Sequence, residues 1–345
     1  MRDLVILAAV VGAIWFGARQ CGFIGGDEEA VADAAADGSG DVEANAAGSA
    51  GESSGAAGAG PGSGGLSGAA SEAQALVDAE LLALLAGEPV GDREGLTAAS
   101  ERSGGIGKLA RGLLDSRSPD AGVRWLGLSR VFAVIPLQAA GRIDLSHKVQ
   151  SASREALALP SASVTQVVRG GDSLSRVRKR FRSDDGVVIA VGLLRWLNGI
   201  SGDLIHPNDQ LRAPKAPVRL VASKSGFWIR LQVGDGILRE FPIAIGKEGK
   251  TPTATFVMKA PLEHPPWKDP VSGNLYHYGD PEYAIGTRWI GFEPNGPHRG
   301  LGIHGTNEPD SIGTQASLGC LRLRNADVEQ LAALVAPGMK IEILD

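Results

Sequence analysis

Residues 219–245 read RLVASKSGFWIRLQVGDGILREFPIAI, and their alternation decides the class of the largest part of the chain. Apolar and polar side chains exchange with period two along Arg219 to Ala222, Phe227 to Val233 and Ile237 to Ile245, the signature of half-buried strands. The second and third runs are joined at Gly234-Asp235-Gly236, a turn that accepts positive φ. Thr253 to Lys259 reads as a further strand, followed by a Pro- and Gly-rich excursion from Pro261 to Gly300. Helical signal returns only over Asn325 to Val335, with Asn325 or Asp327 as the expected cap. A mainly β domain with large loops is expected over 217–345, and loops on a rigid sheet are where functional groups gather.

Moving upstream, residues 163–214 change character. Val164 to Val168 is a strand candidate, Gly170-Gly171-Asp172 turns the chain, and Asp172 or Ser173 caps a helix through Val177 and Phe181. Val188 to Leu197 offers a second helix that stops at Asn198-Gly199, and Gln210 to Arg212 a closing strand. The expected order is βααβ. Before it, 71–160 reads as a small helical region. Ser71 with Gln74 forms a capping-box pattern, Val77, Leu81, Leu84 and Leu85 share one face, and Gly87 ends that helix. Three more helices are expected around Ile106 to Leu113, from Trp125 to Val134 before Pro136, and from Leu145 to Leu159. The role of this region is not legible, and accessory packing or spacing is the default.

The beginning of the chain is a different material. Residues 25–70 are Gly, Ala, Ser, Asp and Glu with almost no large apolar side chain, which cannot bury enough surface to offset ordering entropy. A flexible acidic tether is expected there. Residues 1–24 carry the uncharged run Leu4 to Ala18, which as a helix spans roughly 22 Å against the roughly 30 Å of a hydrocarbon core. It reads as a membrane anchor that continues to Ile24 with Arg19 snorkelling, or as a cleaved signal segment. Either choice puts the bulk of the protein outside the cytoplasm, in the cell envelope.

Composition narrows the function classes. The 345 residues hold 34 Lys and Arg against 39 Asp and Glu, for a net charge of −5. Residues 1–92 contain 14 of the acidic and 2 of the basic groups, so 93–345 carry a net +7. No Lys/Arg block suggests nucleic acid. Cys21 and Cys320 stand at opposite ends in unrelated contexts, which argues against a disulfide, and two cysteines are too few for a zinc site built on cysteine pairs.

The candidate chemistry lies in IHGTNEPDSIGTQASLGCLRL, residues 303–323, where His304 and Cys320 are sixteen positions apart. A thiol attacks as thiolate and needs a base or cation beside it. His304 ends an extended run and Cys320 opens the next, so a loop folding back between them brings base and nucleophile together. Ser317 and Gly319 suit a tight bend in which the Gly319 and Cys320 amides face a reacting carbonyl. Arg322, between Leu321 and Leu323, is placed to hold a substrate carboxylate. The plain alternatives are a buried structural cysteine, a surface histidine and the wet face of a strand. A zinc site would need His304 and Cys320 joined by His264, His277 or His298.

With GKEGKTPTATFVMKAP at 246–261, PPW at 265–267 and GTRWIGF at 286–292, this stretch resembles the L,D-transpeptidase catalytic domain of the YkuD type over 217–345. Residues 163–214, through V..GDSLS, LN.I and I.PND.L..P, resemble a LysM module. The resemblance implies a YkuD-like β-sandwich that uses Cys320 to cleave the bond before a terminal D-Ala of a peptidoglycan stem peptide. The acyl group then passes to an amine. It further implies His304 as base, oriented through the Gly305 carbonyl, Ser317 and Gly319 shaping the nucleophile loop, and Arg322 positioning substrate. No metal or organic cofactor is implied, and the LysM module would bind glycan strands. An L,D-carboxypeptidase and a non-catalytic wall-binding protein are the alternatives. Where the family commonly reads Ser-His-Gly-Cys, this chain has Leu318, which removes a neighbouring polar contact and leaves Cys320, His304 and Arg322 in place.

Overall fold

Among the described residues, five helices precede the first strand. The computed structural model describes residues 64–86, 88, 90–135 and 142–345, with side chains from residue 71 onward. Both the expected membrane segment at 1–24 and most of the expected tether lie outside the described residues. Among the described residues, no helix is long and apolar enough to cross a membrane.

Helix α1 (Gly64–Ala86) begins before the expected capping box at Ser71 and takes in residues 64–70, which were expected to be tether. Its stripe of Val77, Leu81 and Leu84 is buried, and a helix nucleated by packed turns extends cheaply through an Ala-containing lead-in. Gln74 does not cap: its side-chain amide donates to Asp78 Oδ1 at 2.7 Å. Helix α2 (Arg93–Ser100) was not expected. It buries only Leu96 and Ala99, too few positions to show a period, and is started by Asp92, whose carboxylate accepts from the Gly95 N–H at 2.8 Å. Helices α3 (Gly104–Asp115), α4 (Ala121–Val134) and α5 (Arg142–Leu157) fall where the periodicity places them.

Strand β1 (Ser163–Val167) pairs antiparallel with β2 (Gln210–Pro214), and between them run α6 (Leu174–Asp184) and α7 (Val191–Asn198). Ser173 caps α6 by accepting from the Arg176 N–H, and Gly199, at φ 65°, ends α7. The observed order of this unit is therefore βααβ.

The C-terminal region contains a five-stranded sheet in the order β5-β4-β3-β15-β7. Its members are β3 (Val218–Ser223), β4 (Trp228–Val233), β5 (Gly236–Pro242), β7 (Thr255–Val257) and β15 (Lys340–Leu344). Strand β6 (Ile245–Gly246) pairs with β13 (Gln315–Ser317), and β9 (Trp267–Lys268) with β10 (Leu275–Tyr276). A second sheet runs β14-β12-β11-β8. It is built from β8 (Leu262–Glu263), β11 (Arg288–Gly291), β12 (Gly302–His304) and β14 (Leu321–Arg322), with α8 (Asn325–Leu334) following in the chain.

The helical region covers the edge of the larger sheet. Edge strands present unpaired N–H and C=O groups that must be satisfied when covered. The Ile237 carbonyl of β5 accepts from Trp125 Nε1 at 2.8 Å, and the Ile237 N–H donates to Ser129 Oγ at 3.0 Å, both partners coming from α4. Gly236 leaves room for the Trp125 ring, since a Cβ there would come within 2.3 Å of it. Beneath this contact Glu240 of β5 is shared by Arg142 of α5 and by Arg230 of β4, whose Nε lies 2.6 Å from Glu240 Oε2. All three side chains are buried, and one hydrophobic cluster runs through the helices, the βααβ unit and the sheet.

Removing the carboxylate would take the shared counter-charge from two buried guanidinium groups, whose bonds to the carbonyls of residues 132, 133 and 135 are to neutral acceptors, and breaking a buried ion pair costs about 3–5 kcal/mol. Glu240→Ala is expected to lower unfolding free energy by about that amount in urea titrations. A loss well under 1 kcal/mol, the range of exposed pairs, would show that the helices do not depend on this anchor.

Candidate active site

Strand β12 lies between β11, which runs antiparallel to it, and β14, which runs parallel. In the parallel pair Ile303 faces Leu321 and His304 faces Arg322. Ile303 and Leu321 are buried on the core side, so the alternation of strand side chains turns His304 and Arg322 to the other face, with Cys320 two residues before Arg322 on the same side. The sixteen-residue separation is closed by strand pairing. Cys320, His304, Arg322, Ser317 and Leu318 line one cleft of about 530 Å³, walled by Pro265, Pro266, Trp267 and Trp289.

His304 is 5% exposed, and its Nδ1 lies 2.6 Å from the Gly305 carbonyl oxygen. A carbonyl only accepts, so the neutral ring carries its proton on Nδ1 and leaves the lone pair on Nε2. Trp289, directly opposite on β11, stacks over the imidazole with ring centroids 5.7 Å apart. Burial holds His304 down to about 4, with Arg322 acting in the same sense and the Gly305 carbonyl opposing. Burial likewise pushes the Cys320 thiol up to about 11, against the pull of the Gly302 backbone and Arg322. Its Sγ rests 3.8 Å from the Gly300 carbonyl. At neutral pH the resting pair is therefore an uncharged thiol and an uncharged imidazole.

The bend before Cys320 is tightly held. Ser317 Oγ donates to the Cys320 carbonyl at 2.6 Å and accepts from the Gly319 N–H at 3.1 Å. That second bond corrects one expectation, because the Gly319 amide expected as an oxyanion donor already has a partner inside the bend. Gly319 sits at φ 134°, where a Cβ would also come within 3.0 Å of the Lys250 carbonyl oxygen. Thr251 Oγ1 donates to the Gly319 carbonyl at 2.9 Å. Leu318 is 55% exposed at the cleft.

Arg322 pairs with Glu308 at 2.9 Å, while its buried Nε finds no partner among the described residues. Asn325 does not cap α8. Its Oδ1 accepts from the Thr306 N–H at 3.1 Å and the Thr287 N–H at 3.3 Å, which fixes the chain just after His304. Two of the three further histidines weighed for zinc are engaged elsewhere: His264 stacks on Tyr278 at 3.6 Å between centroids, and His298 packs edge-on against Phe256. No group of three potential metal ligands occurs among the described residues. Trp289 and Thr251 were not singled out from the sequence, although each lies in a stretch that carries the resemblance, GTRWIGF and GKEGKTPTATFVMKAP, and Asn325 was read only as a helix cap.

The β-rich region sets a histidine on one strand and a cysteine just before its partner strand above one cleft, and comparison with known proteins shows what this region is similar to. Residues 217–343 match the model of the YkuD family, the L,D-transpeptidase catalytic domain, and form a YkuD-like β-rich domain. The YkuD protein of Bacillus licheniformis, named for the L,D-transpeptidases, is 29% identical over 183 residues, covering 51% of this chain and 96% of that protein. The similarly named YqjB protein of Bacillus subtilis is 35% identical over 108 residues, covering 30% of this chain and 58% of that protein. The NMR structure of the catalytic domain from an E. faecium L,D-transpeptidase aligns with 37% of this chain and 96% of that one, at 18% identity and a TM-score of 0.31.

The uncharged pair has consequences for pH. The rate of Cys320 alkylation by iodoacetamide, followed by peptide mass spectrometry, is expected to climb without a plateau between about pH 6 and 9, as a thiol pushed up to about 11 ionises. A flat rate across that range would reveal a preformed thiolate. For His304 the folded value is the lower one, so the unfolded chain takes up the proton first. Its contribution to stability is complete above about 6.5 and is lost as pH falls toward about 4.

Proposed function

We propose that the protein is a cysteine-dependent L,D-transpeptidase that cross-links peptidoglycan stem peptides through an acyl-enzyme. The observation that carries this reading is the register of β12 on β14, which sets His304 beside Arg322 and turns Cys320 into the same cleft. In the first half-reaction the Cys320 thiol gives its proton to His304 Nε2 as Sγ bonds to the carbonyl carbon of the L-centre. The tetrahedral intermediate then collapses, the C–N bond breaks, and D-Ala leaves with the proton that His304 returns. In the second half an acceptor amine attacks the thioester, its proton passes to His304, and the thiol is regenerated as the new amide forms.

The residues have separate tasks in this scheme. The Gly305 carbonyl keeps the Nδ1–H tautomer, and Arg322 takes a stem-peptide carboxylate. Ser317 and Gly319 hold the turn, and the Cys320 N–H supplies an oxyanion donor. A buried neutral imidazole is a weak base in the resting site. Proton transfer therefore becomes favourable as the sulfur bonds to the carbonyl, where charge is delivered to the oxyanion donor.

Residues 163–214 serve in this reading as a LysM module that holds glycan strands. The alignments with the YkuD proteins of B. licheniformis and B. subtilis extend over a longer stretch than residues 217–343, which supports treating the βααβ unit as part of the same design. A module of this kind raises the local concentration of the enzyme at a polymer, so a weak glycan contact suffices. The bulk of the protein would act on the extracytoplasmic side of the cell envelope, tethered to the membrane through residues 1–24.

Disaccharide-tetrapeptide incubated with the protein is expected to release D-Ala and yield cross-linked dimers, both lost in Cys320→Ala. Release of D-Ala with tripeptide monomers alone would assign an L,D-carboxypeptidase, in which water resolves the thioester. Absence of both products from folded protein, together with retained binding to wall material in Cys320→Ala, would make it a binding protein.

A further inference from the structure

The bend that carries Cys320 has its backbone polar groups held one by one, and the exception is informative. The Gly319 N–H donates to Ser317 Oγ, the Cys320 carbonyl accepts from Ser317 Oγ, and the Gly319 carbonyl accepts from Thr251 Oγ1. The Cys320 N–H makes no hydrogen bond to the described residues. Thr251 is 1% exposed, and its hydroxyl also accepts from the Gly246 N–H at 2.7 Å, so its single proton is committed to the Gly319 carbonyl. The three backbones meet too closely for side chains, since a Cβ on Gly246 would lie 2.9 Å from both Gly319 Cα and Thr251 Oγ1. All described peptide bonds are trans. In a planar trans unit the C=O and the next N–H point in opposite directions, so anchoring the Gly319 carbonyl fixes where the Cys320 N–H points.

We propose that Thr251 is a positioning residue for the oxyanion donor: its hydroxyl locks the Gly319–Cys320 peptide so that the Cys320 N–H stays aimed at the carbonyl oxygen of an acyl group attacked by Sγ. This rests on the reading of Cys320 as the nucleophile. When the S–C bond forms, the carbonyl π pair moves onto oxygen, the thiol proton moves to His304 Nε2, and the negative oxygen meets a donor already oriented. Thr251 touches none of the reacting atoms. Its effect lies in sparing the turn any reorganisation as charge develops, and oxyanion donors act through such preorganisation.

Two reactions of the same sulfur separate this role from simple support of the bend. Acylation, by tetrapeptide or by a carbapenem, passes through an oxyanion. Alkylation by iodoacetamide is displacement at a saturated carbon and forms none. In the full chain, Thr251→Val is expected to lower kcat for D-Ala release about 10- to 100-fold, somewhat less than the 10²- to 10³-fold effect of deleting a donor outright, with KM little changed. Alkylation at matched pH should stay within about twofold of wild type, because it needs only the thiolate. Thr251→Ser, which keeps the hydroxyl, should restore acylation and guards against a Val variant that folds poorly.

If Thr251→Val acylates as fast as wild type, or if acylation and alkylation fall together while Thr251→Ser fails to restore either, the assignment is overturned. A different result marks failure of the parent reading. Wild-type protein that is alkylated normally yet neither releases D-Ala nor forms a carbapenem adduct would remove Cys320 from acyl transfer, and the role of Thr251 with it.

Discussion

Parallel pairing of two very short strands, Gly302–His304 and Leu321–Arg322, is the constraint on which the site depends. Side chains alternate along a strand, so burial of Ile303 and Leu321 on the core side settles which way His304, Arg322 and Cys320 face. A slip of one residue would send His304 into the core and Ile303 into the cleft. The register is held from outside as well. The Leu323 N–H donates to the His304 carbonyl, and the Arg322 N–H and carbonyl exchange bonds with Ala244. Asn325 then fixes the chain where it leaves β12.

Strand register also explains which parts of the molecule were legible in the sequence. The hairpins from Val218 to Pro242 follow period-two alternation and a Gly-containing turn, both of which are local signals. The βααβ order was equally visible, because caps and apolar spacing lie within a few residues of each other. The edge-covering role of the helices was not. Trp125 meets Ile237 across 112 positions of sequence, and nothing near either residue announces that an edge strand will need its N–H and C=O covered. Asn325 was misjudged for a related reason. A helix-start Asn looks like a cap, but two amides near His304 compete for its side-chain oxygen and win.

At the site itself, the sequence brought out Cys320, His304, Ser317, Gly319 and Arg322 through residue type and spacing, and the resemblance gave His304 its Gly305 partner, but the partners inside the bend needed the fold. Gly319 illustrates the difference. The need for glycine follows from its backbone angle and from the approach of Lys250, while the N–H that looked available is used by Ser317. Thr251 lies in a stretch that carries the resemblance, but its partner becomes visible only when the fold brings it under the bend 68 residues later.

Charge is managed differently at two depths of the same domain. Near the helical contact, Glu240 pairs with two guanidinium groups that also donate to the carbonyls of residues 132, 133 and 135, enough partners to keep a buried cluster ionised. In the cleft, burial keeps the thiol and the imidazole neutral, and the nearby cation, Arg322, is partnered by Glu308. Arg322 favours a thiolate but disfavours an imidazolium, so it cannot stabilise the ion pair as a whole by acting equally on both members. Net gain comes only when the negative charge moves off sulfur onto an oxygen that has its own donor. Under the proposed acyl transfer, the cleft is therefore quiet at rest and becomes charged as the carbonyl is attacked, so that catalysis would rest on the geometry of the Gly319–Cys320 peptide rather than on a preformed thiolate.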